Sequence, residues 1–83
     1  SANAQTLDKP YIQIGIFSVE DNANRTADQM RAGGLIPTVL SQESAGKKFW
    51  RVVVGPAATL SERRELSRSI EKLGFSDAYA VTN

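Results

Sequence analysis

The side chains of this sequence that could do chemistry are suited to contact rather than to bond making. A carboxamide, two aromatic rings and a guanidinium lie in segments where apolar and other residues alternate, which is the spacing of one strand face. Rings stack on flat apolar surfaces, whereas amides and guanidinium groups supply hydrogen bonds. These four side chains are Gln13, Phe49, Arg51 and Tyr79.

The rest of the composition argues against catalysis. The sequence has no histidine and no cysteine, so the usual metal ligands and the acid–base group of neutral pH are missing. Glycoside cleavage needs two carboxyl groups flanking one bond, but the acids here fall at predicted helix starts, at a sheet edge and on a helix surface. We therefore predict a chain that is not an enzyme and that uses no metal or other cofactor. The acids at these positions, six of the nine in the sequence, are Glu20, Asp21, Glu43, Glu62, Glu65 and Glu71.

Length and charge predict one small domain whose partners are sparsely charged. The chain has 83 residues and a formal net charge of +1, which favours neither nucleic acid nor a membrane surface as a partner. No apolar run approaches the roughly 18 residues of a membrane span. Residues 1–9 are small, polar and aperiodic, so we expect a disordered linker there and a folded, monomeric domain over residues 10–83.

The first half of the domain predicts a strand, a helix and a second strand. Alternation over Tyr11 to Phe17 is typical of a half-buried strand. Ser18 and Asp21 have the spacing of a capping box, which predicts a helix over residues 19–32, and two glycines follow as its stop. The second strand, Leu35 to Glu43, contains a proline and therefore belongs at a sheet edge or begins at that proline.

The second half repeats this pattern. A turn over residues 44–47 leads into a β-branched strand within residues 48–56, which suits the middle of a sheet. Thr59 and Glu62 form a second capping box, Gly74 ends the helix that follows, and a last strand covers Asp77 to Thr82. The apolar face of this second helix carries Leu66, Ile70 and Leu73.

The order βαββαβ predicts an α+β fold of the RNP or ferredoxin-like type. Its four strands form one antiparallel sheet with both helices on one face and the first and third strands in the middle. The other face of the sheet is then covered by no element of this chain. Alternation places Phe49, Arg51 and Val53 on that face, together with Gln13 and Tyr79.

Gly15 complicates the alternation of the first strand. A glycine inside a strand often marks a bulge, which moves every later side chain to the opposite face. We therefore expect Phe17 to turn into the core and Ile16 to lie on the uncovered face. Trp50 has the opposite parity to Arg51, which favours a place at the edge of the core over contact with a ligand.

Several short motifs occur together along residues 11–82: QIGIF, Asn22-Ala23 at the start of the helix, the Gly-Gly helix end, FWRVVVGP, and LGF after the last helix. In order and spacing they resemble the SPOR domain, the sporulation-related repeat that binds bacterial peptidoglycan. Within the family the chain is most similar to the C-terminal module of a septal lytic transglycosylase.

The resemblance implies a non-catalytic domain that recognises denuded glycan, the amino-sugar strand without stem peptides, and that targets a parent protein to the division septum. It also implies a place in the periplasm or cell envelope and a parent that is an outer-membrane lipoprotein. The serine usual after the glycine is replaced by Ile16, which removes a hydroxyl. The glycan-binding positions of the family fall on Gln13, Ile16, Phe49, Arg51 and Tyr79. The loop and helix start from Ser18 to Asn22 are expected to form one rim of the binding groove, with Ser18 and Asn22 as further contacts.

Three other interpretations remain open from the residues alone. The RNA-binding RRM shares the βαββαβ plan, but the third strand lacks its K/R-G-F/Y-G/A-F pattern and the net charge of +1 attracts phosphate weakly. A protein-interaction module has no distinguishing motif. Apolar side chains are also common on ordinary surfaces, so the face could simply be exposed or contact a parent domain.

Overall fold

The computed structural model describes residues 7–83. The predicted linker lies largely outside these residues, and its boundary with the domain stays a prediction. Six elements follow one another in the expected order. They are β1 (Tyr11–Phe17), α1 (Glu20–Ala32), β2 (Pro37–Ser44), β3 (Lys47–Val54), α2 (Leu60–Lys72) and β4 (Tyr79–Val81).

The four strands form one antiparallel sheet in the order β2-β3-β1-β4, which confirms the predicted α+β architecture and the central position of β1 and β3. Both helices pack on the same face. The core between sheet and helices takes its strand residues from β1 and β3 and its helix residues from both helices, and burying each large aliphatic side chain contributes about 1.5–3 kcal/mol. It consists of Ile12, Ile14, Ala23, Ala27, Met30, Val52, Val54 and Ile70. Neither helix of residues 7–83 has the length and apolarity needed to cross a bilayer.

The first helix does not start as predicted. Its N-cap is Val19, whose backbone is extended and whose side chain makes no capping hydrogen bond. The predicted capping box of Ser18 and Asp21 is therefore wrong. The chain stays extended one residue further, so the Ser18 hydroxyl precedes the capping position, and the acids of the first turn, Glu20 and Asp21, favour the helix through its dipole instead.

The second helix starts as predicted. The Thr59 hydroxyl accepts a hydrogen bond from the Glu62 amide at 3.1 Å. The Glu62 carboxylate reaches back to accept from the Ala58 amide at 2.9 Å. Two of the amides that a helix start leaves without partners are thus satisfied.

Both helices end in the same way. Gly34 and Gly74 have positive φ angles of 84° and 100°, a conformation that glycine adopts without steric cost. The amides of Leu35 and Phe75, one residue further on, return to the carbonyls of Met30 and Ile70. This is the Schellman arrangement, and Leu35 and Phe75 pack against the core as it requires.

The strand ends follow from hydrogen bonding. Pro37 opens β2, which is an edge strand, so its missing N–H costs no ladder bond. The hairpin turn at Ala45 and Gly46 has positive φ at both residues, 53° and 79°, as a type I′ turn requires. The last strand is shorter than predicted, Tyr79–Val81 instead of residues 77–82, because it pairs only with Tyr11, Ile12 and Gln13, before β1 becomes irregular.

The two helix starts give the first prediction. We expect Thr59→Ala to lower the free energy of unfolding by about 1 kcal/mol, since a capping oxygen is lost. Ser18→Ala is the matched control and should change it by less than about 0.5 kcal/mol, because Ser18 caps nothing. Urea denaturation of both variants measures the difference, and equal losses would contradict the N-cap at Val19.

Candidate functional site

The sheet face opposite the helices is the candidate site, and we call it the open face. Strand register defines its members, since residues paired across antiparallel strands point to the same side. Gln13 pairs with both Val53 and Tyr79, and Ile16 pairs with Arg51. The remaining pairs on this side add Thr38, Leu40 and Gln42 from β2, Phe49 from β3, Tyr11 from β1 and Val81 from β4.

A bulge in β1 decides which of its side chains reach the open face. Gln13 pairs with Val53 and Gly15 pairs with Val52, so Ile14 is the extra residue on β1. The alternation resumes one residue out of phase, as the sequence predicted. Ile16 consequently lies on the open face with 58% of its surface exposed, and Phe17 packs against the core.

Gln13, Arg51 and Tyr79 are joined by hydrogen bonds on the open face. The Gln13 side-chain amide donates to the Tyr79 hydroxyl at 2.7 Å. The Gln13 side-chain carbonyl accepts from Arg51 Nε at 2.6 Å. One carboxamide on the central strand thereby links the guanidinium of β3 to the phenol of β4.

The burial of Gln13 bears on its expected role as a ligand contact. Gln13 is only 4% exposed, and both polar atoms of its side chain are already hydrogen-bonded. Gln13 lies on the predicted face, but its polar atoms are taken up by Arg51 and Tyr79, and its part in binding a ligand stays a prediction. Val53 beside it is also buried, at 2% exposure, so this part of the open face is a packed layer even though no helix covers it.

Arg51 is held along one edge of its guanidinium group. Nε donates to Gln13, and Nη2 donates to the main-chain carbonyl of Asn83. These two nitrogens share one edge of the planar fork, so the Nη1–Nη2 edge keeps its N–H groups for another acceptor. Within residues 7–83 no Asp or Glu side chain forms an ion pair with Arg51.

The aromatic rings lie at separate places on the open face. Phe49 is half-buried near the end of β3 where the hairpin begins, and Tyr79 is 56% exposed on the far edge strand. Four residues along β3 and two strand spacings separate their positions, which amounts to roughly 16 Å between the Cα atoms. A single small molecule cannot contact both rings, but an extended chain can.

The predicted rim residues lie at the Phe49 end of this face. The β1–β3 ladder ends at the pair of Phe17 and Trp50, and the exposed Ser18 follows immediately. Asn22, in the first turns of α1, is also exposed, and its side-chain oxygen accepts from Arg25. Trp50 itself packs against the core, as predicted from its parity.

The sequence interpretation missed the contribution of β2. Leu40 pairs with Arg51, and Gln42 pairs with Phe49, so both lie on the open face beside predicted site residues. The signal was available: a two-residue turn at Ala45 and Gly46 fixes the register of the hairpin, and with it the face of every residue in β2.

A groove of about 390 Å³ lies on the helix side, between the end of α1 and the start of α2. It has two carboxylates, Glu62 and Glu65, but Glu62 is part of the α2 cap. Residues 7–83 also contain no cluster of acidic side chains able to hold a metal ion. The hydrogen-bonding and stacking groups that form a coherent set are therefore those of the open face.

Comparison with known proteins gave one family and two similar structures. The SPOR domain family model matches residues 8–82. The crystal structure of the RlpA SPOR domain from Pseudomonas aeruginosa superposes with a TM-score of 0.78 at 21% identity, covering 86% of this chain and 95% of that one. The solution structure of the peptidoglycan binding domain of the B. subtilis cell wall lytic enzyme CwlC gives a TM-score of 0.70 at 27% identity, covering 93% and 92%. A search of curated proteins returned no significant match.

The bulge gives the second prediction. A methyl group on Gly15 would lie 2.9 Å from Cζ of Phe17, so Gly15→Ala must displace a ring that packs on the core. We expect a loss of roughly 1–3 kcal/mol in unfolding free energy. Ile16→Ser, on the exposed side of the same strand, should cost less than about 0.5 kcal/mol.

Gly15→Ala made in a Phe17→Leu background, again measured by urea denaturation, completes this test. If the ring is the obstacle, Gly15→Ala costs less there, because the two substitutions are coupled. An undiminished cost would mean that Gly15 is required for a reason other than the approach of Phe17.

Proposed function

The chain belongs to the SPOR domain family, a family of non-catalytic peptidoglycan-binding modules, and from this premise we propose that its open face binds denuded glycan strands. The observation that carries the proposal is the pair of separated rings with one held guanidinium between them. An extended, sparsely charged chain with apolar faces fits this arrangement better than a compact ligand does.

The ring contacts suit a sugar strand. Sugar rings present C–H faces that stack on aromatic side chains, and we propose Phe49 and Tyr79 as the two stacking positions. Their separation of roughly 16 Å means that different sugars of one strand occupy them. The exposed Ile16, which lies between them on β1, adds apolar contact where the family usually has a serine hydroxyl.

The guanidinium suits the one regular charge of a stripped strand. Removal of the stem peptide leaves a lactyl carboxylate on each muramic acid. We propose that the remaining edge of Arg51 pairs with it bidentately, a geometry that guanidinium and carboxylate share. A stem peptide would turn that carboxylate into an amide, which removes the charge and adds bulk.

The remaining proposed contacts lie on the rim. Ser18 and Asn22 are exposed at the Phe49 end of the open face and supply hydroxyl and amide groups to sugar acetamido and hydroxyl groups. Gln13 is buried and takes part in the same site indirectly, through its hydrogen bonds to Arg51 and Tyr79. We propose that such binding brings a parent protein to the septum in the cell envelope, with this domain acting as a monomer. A parent that is a lytic transglycosylase lipoprotein, as the resemblance implies, fits that role, and the similar CwlC domain belongs to a cell wall lytic enzyme.

Co-sedimentation with purified sacculi tests the proposal. We expect more of the domain to pellet with amidase-treated sacculi than with untreated ones, since stripping exposes the carboxylate and the sugar faces. Phe49→Ala and Arg51→Ala should each weaken binding by about fivefold or more, which corresponds to about 1 kcal/mol.

Arg64→Ala is the matched control, because Arg64 is an exposed arginine of α2 on the helix side. It removes the same charge from the chain and should leave binding unchanged. Binding that ignores stripping, or equal losses in both arginine variants, would overturn the proposal.

Salt dependence separates glycan from RNA as the ligand. With one arginine in ionic contact, a tenfold rise in salt should lower glycan affinity by about fivefold at most. A groove that contacts a phosphate backbone through several cationic side chains would lose far more affinity over the same rise in salt. Titration of stripped glycan and of single-stranded RNA between low and high salt measures both slopes, and tight, steeply salt-dependent RNA binding would favour the RNA interpretation.

A further inference from the structure

We infer that Gln13 is a positioning residue: it turns the Tyr79 hydroxyl into a donor and holds Arg51, whose guanidinium group only donates, so that this part of the open face selects a carboxylate. The inference rests on the proposed function and deepens it. It begins with a buried side chain that a ligand cannot readily touch, since Gln13 is only 4% exposed.

The orientation of the Gln13 carboxamide follows from its neighbours. Arg51 Nε carries a hydrogen and cannot accept, so the atom facing it at 2.6 Å must be the side-chain oxygen. The nitrogen then faces the Tyr79 hydroxyl at 2.7 Å. A flipped amide would set two donors against each other, so only one orientation satisfies both bonds.

This orientation fixes the direction of the Tyr79 hydroxyl. An amide nitrogen only donates, so the phenol oxygen accepts from Gln13 and its own proton points elsewhere. That hydroxyl donates no hydrogen bond to any of residues 7–83. Because Tyr79 is 56% exposed, the proton is available to a ligand that lies on the face.

Arg51 adds donors on the same side of the sheet. Its Nε and Nη2 bonds to Gln13 and Asn83 occupy one edge, which leaves the Nη1–Nη2 edge. Each acceptor of Gln13 and Tyr79 thus has one partner within the network, and the groups that the network turns toward a ligand are the N–H groups of Arg51 and the O–H group of Tyr79. A carboxylate, which accepts through two oxygens and carries a negative charge, is the complementary group.

Gln13→Glu reverses this polarity with little change in shape. The carboxylate still accepts from Arg51 but now also accepts the Tyr79 proton, so the phenol turns a lone pair outward. The new charge also neutralises Arg51. We expect this variant to lose its selectivity for a carboxylate, whereas a general loss of structure would weaken every ligand equally.

The probes are soluble denuded glycan strands and the same strands with their lactyl carboxyl groups reduced to alcohols, measured by calorimetry. The wild-type domain should bind the carboxylate form about tenfold more tightly or better, as expected for a charge-assisted bidentate bond. Gln13→Glu should bring that ratio below about twofold. A ratio unchanged from wild type would overturn the inference.

A second variant covers the case in which Gln13→Glu fails to fold. Gln13→Met keeps the volume and removes both hydrogen bonds. We expect it to reduce the ratio in the wild-type background and to change nothing further in a Tyr79→Phe, Arg51→Ala background. A full additional loss in that background would show that the glycan contacts Gln13 directly.

These outcomes stay distinct from failure of the proposed function. If the wild-type domain binds neither glycan, the proposed function fails. If it binds both equally well, the function stands and the selectivity assigned to the network is wrong. Urea denaturation of each variant identifies any that do not fold.

Discussion

The carboxamide of Gln13 lies on the central strand, on the face that no helix covers, and it is nevertheless buried. A buried amide that lacks partners costs about 1–3 kcal/mol, so its two hydrogen bonds are a condition of placing it there. Both partners come from other strands, Arg51 from β3 and Tyr79 from β4. Satisfying one side chain therefore fixes the relative positions of a guanidinium and a phenol that are remote in sequence.

The bulge at Ile14 changes which residues of β1 face the core and which face the open side. Before the bulge, β1 supplies Ile12 to the core and Gln13 to the open face; after it, Ile16 is on the open face and Phe17 is in the core. Without the extra residue, Phe17 would project onto the open face and the core would lose an aromatic ring. The bulge also marks where pairing with β4 stops, which is why that strand has only three residues.

Local patterns in the sequence predicted most of the fold. Alternation, the glycines after both helices and the β-branched run of β3 each depend on residues that are neighbours in the chain, and the βαββαβ order followed from them. Ser18 was misassigned as a cap because spacing does not show where the extended chain actually turns into a helix. The burial of Gln13 was not predictable, because it depends on Arg51 and Tyr79 packing over it from 38 and 66 residues away.

A binding face built from strands differs from one built from loops in how much conformational entropy it still loses when a ligand binds. Arg51 is already held along one edge and Tyr79 at its hydroxyl, so little side-chain entropy remains to be lost when a ligand arrives. Rigid donors also discriminate against a ligand that presents donors of its own. An amide-linked stem peptide keeps one carbonyl acceptor but replaces the second carboxylate oxygen by an N–H, which meets groups that only donate and leaves a donor on each side without an acceptor. Under the proposed function, the preference for stripped glycan arises from this conflict as much as from attraction to the free carboxylate, because unpaired donors are costly wherever water is excluded.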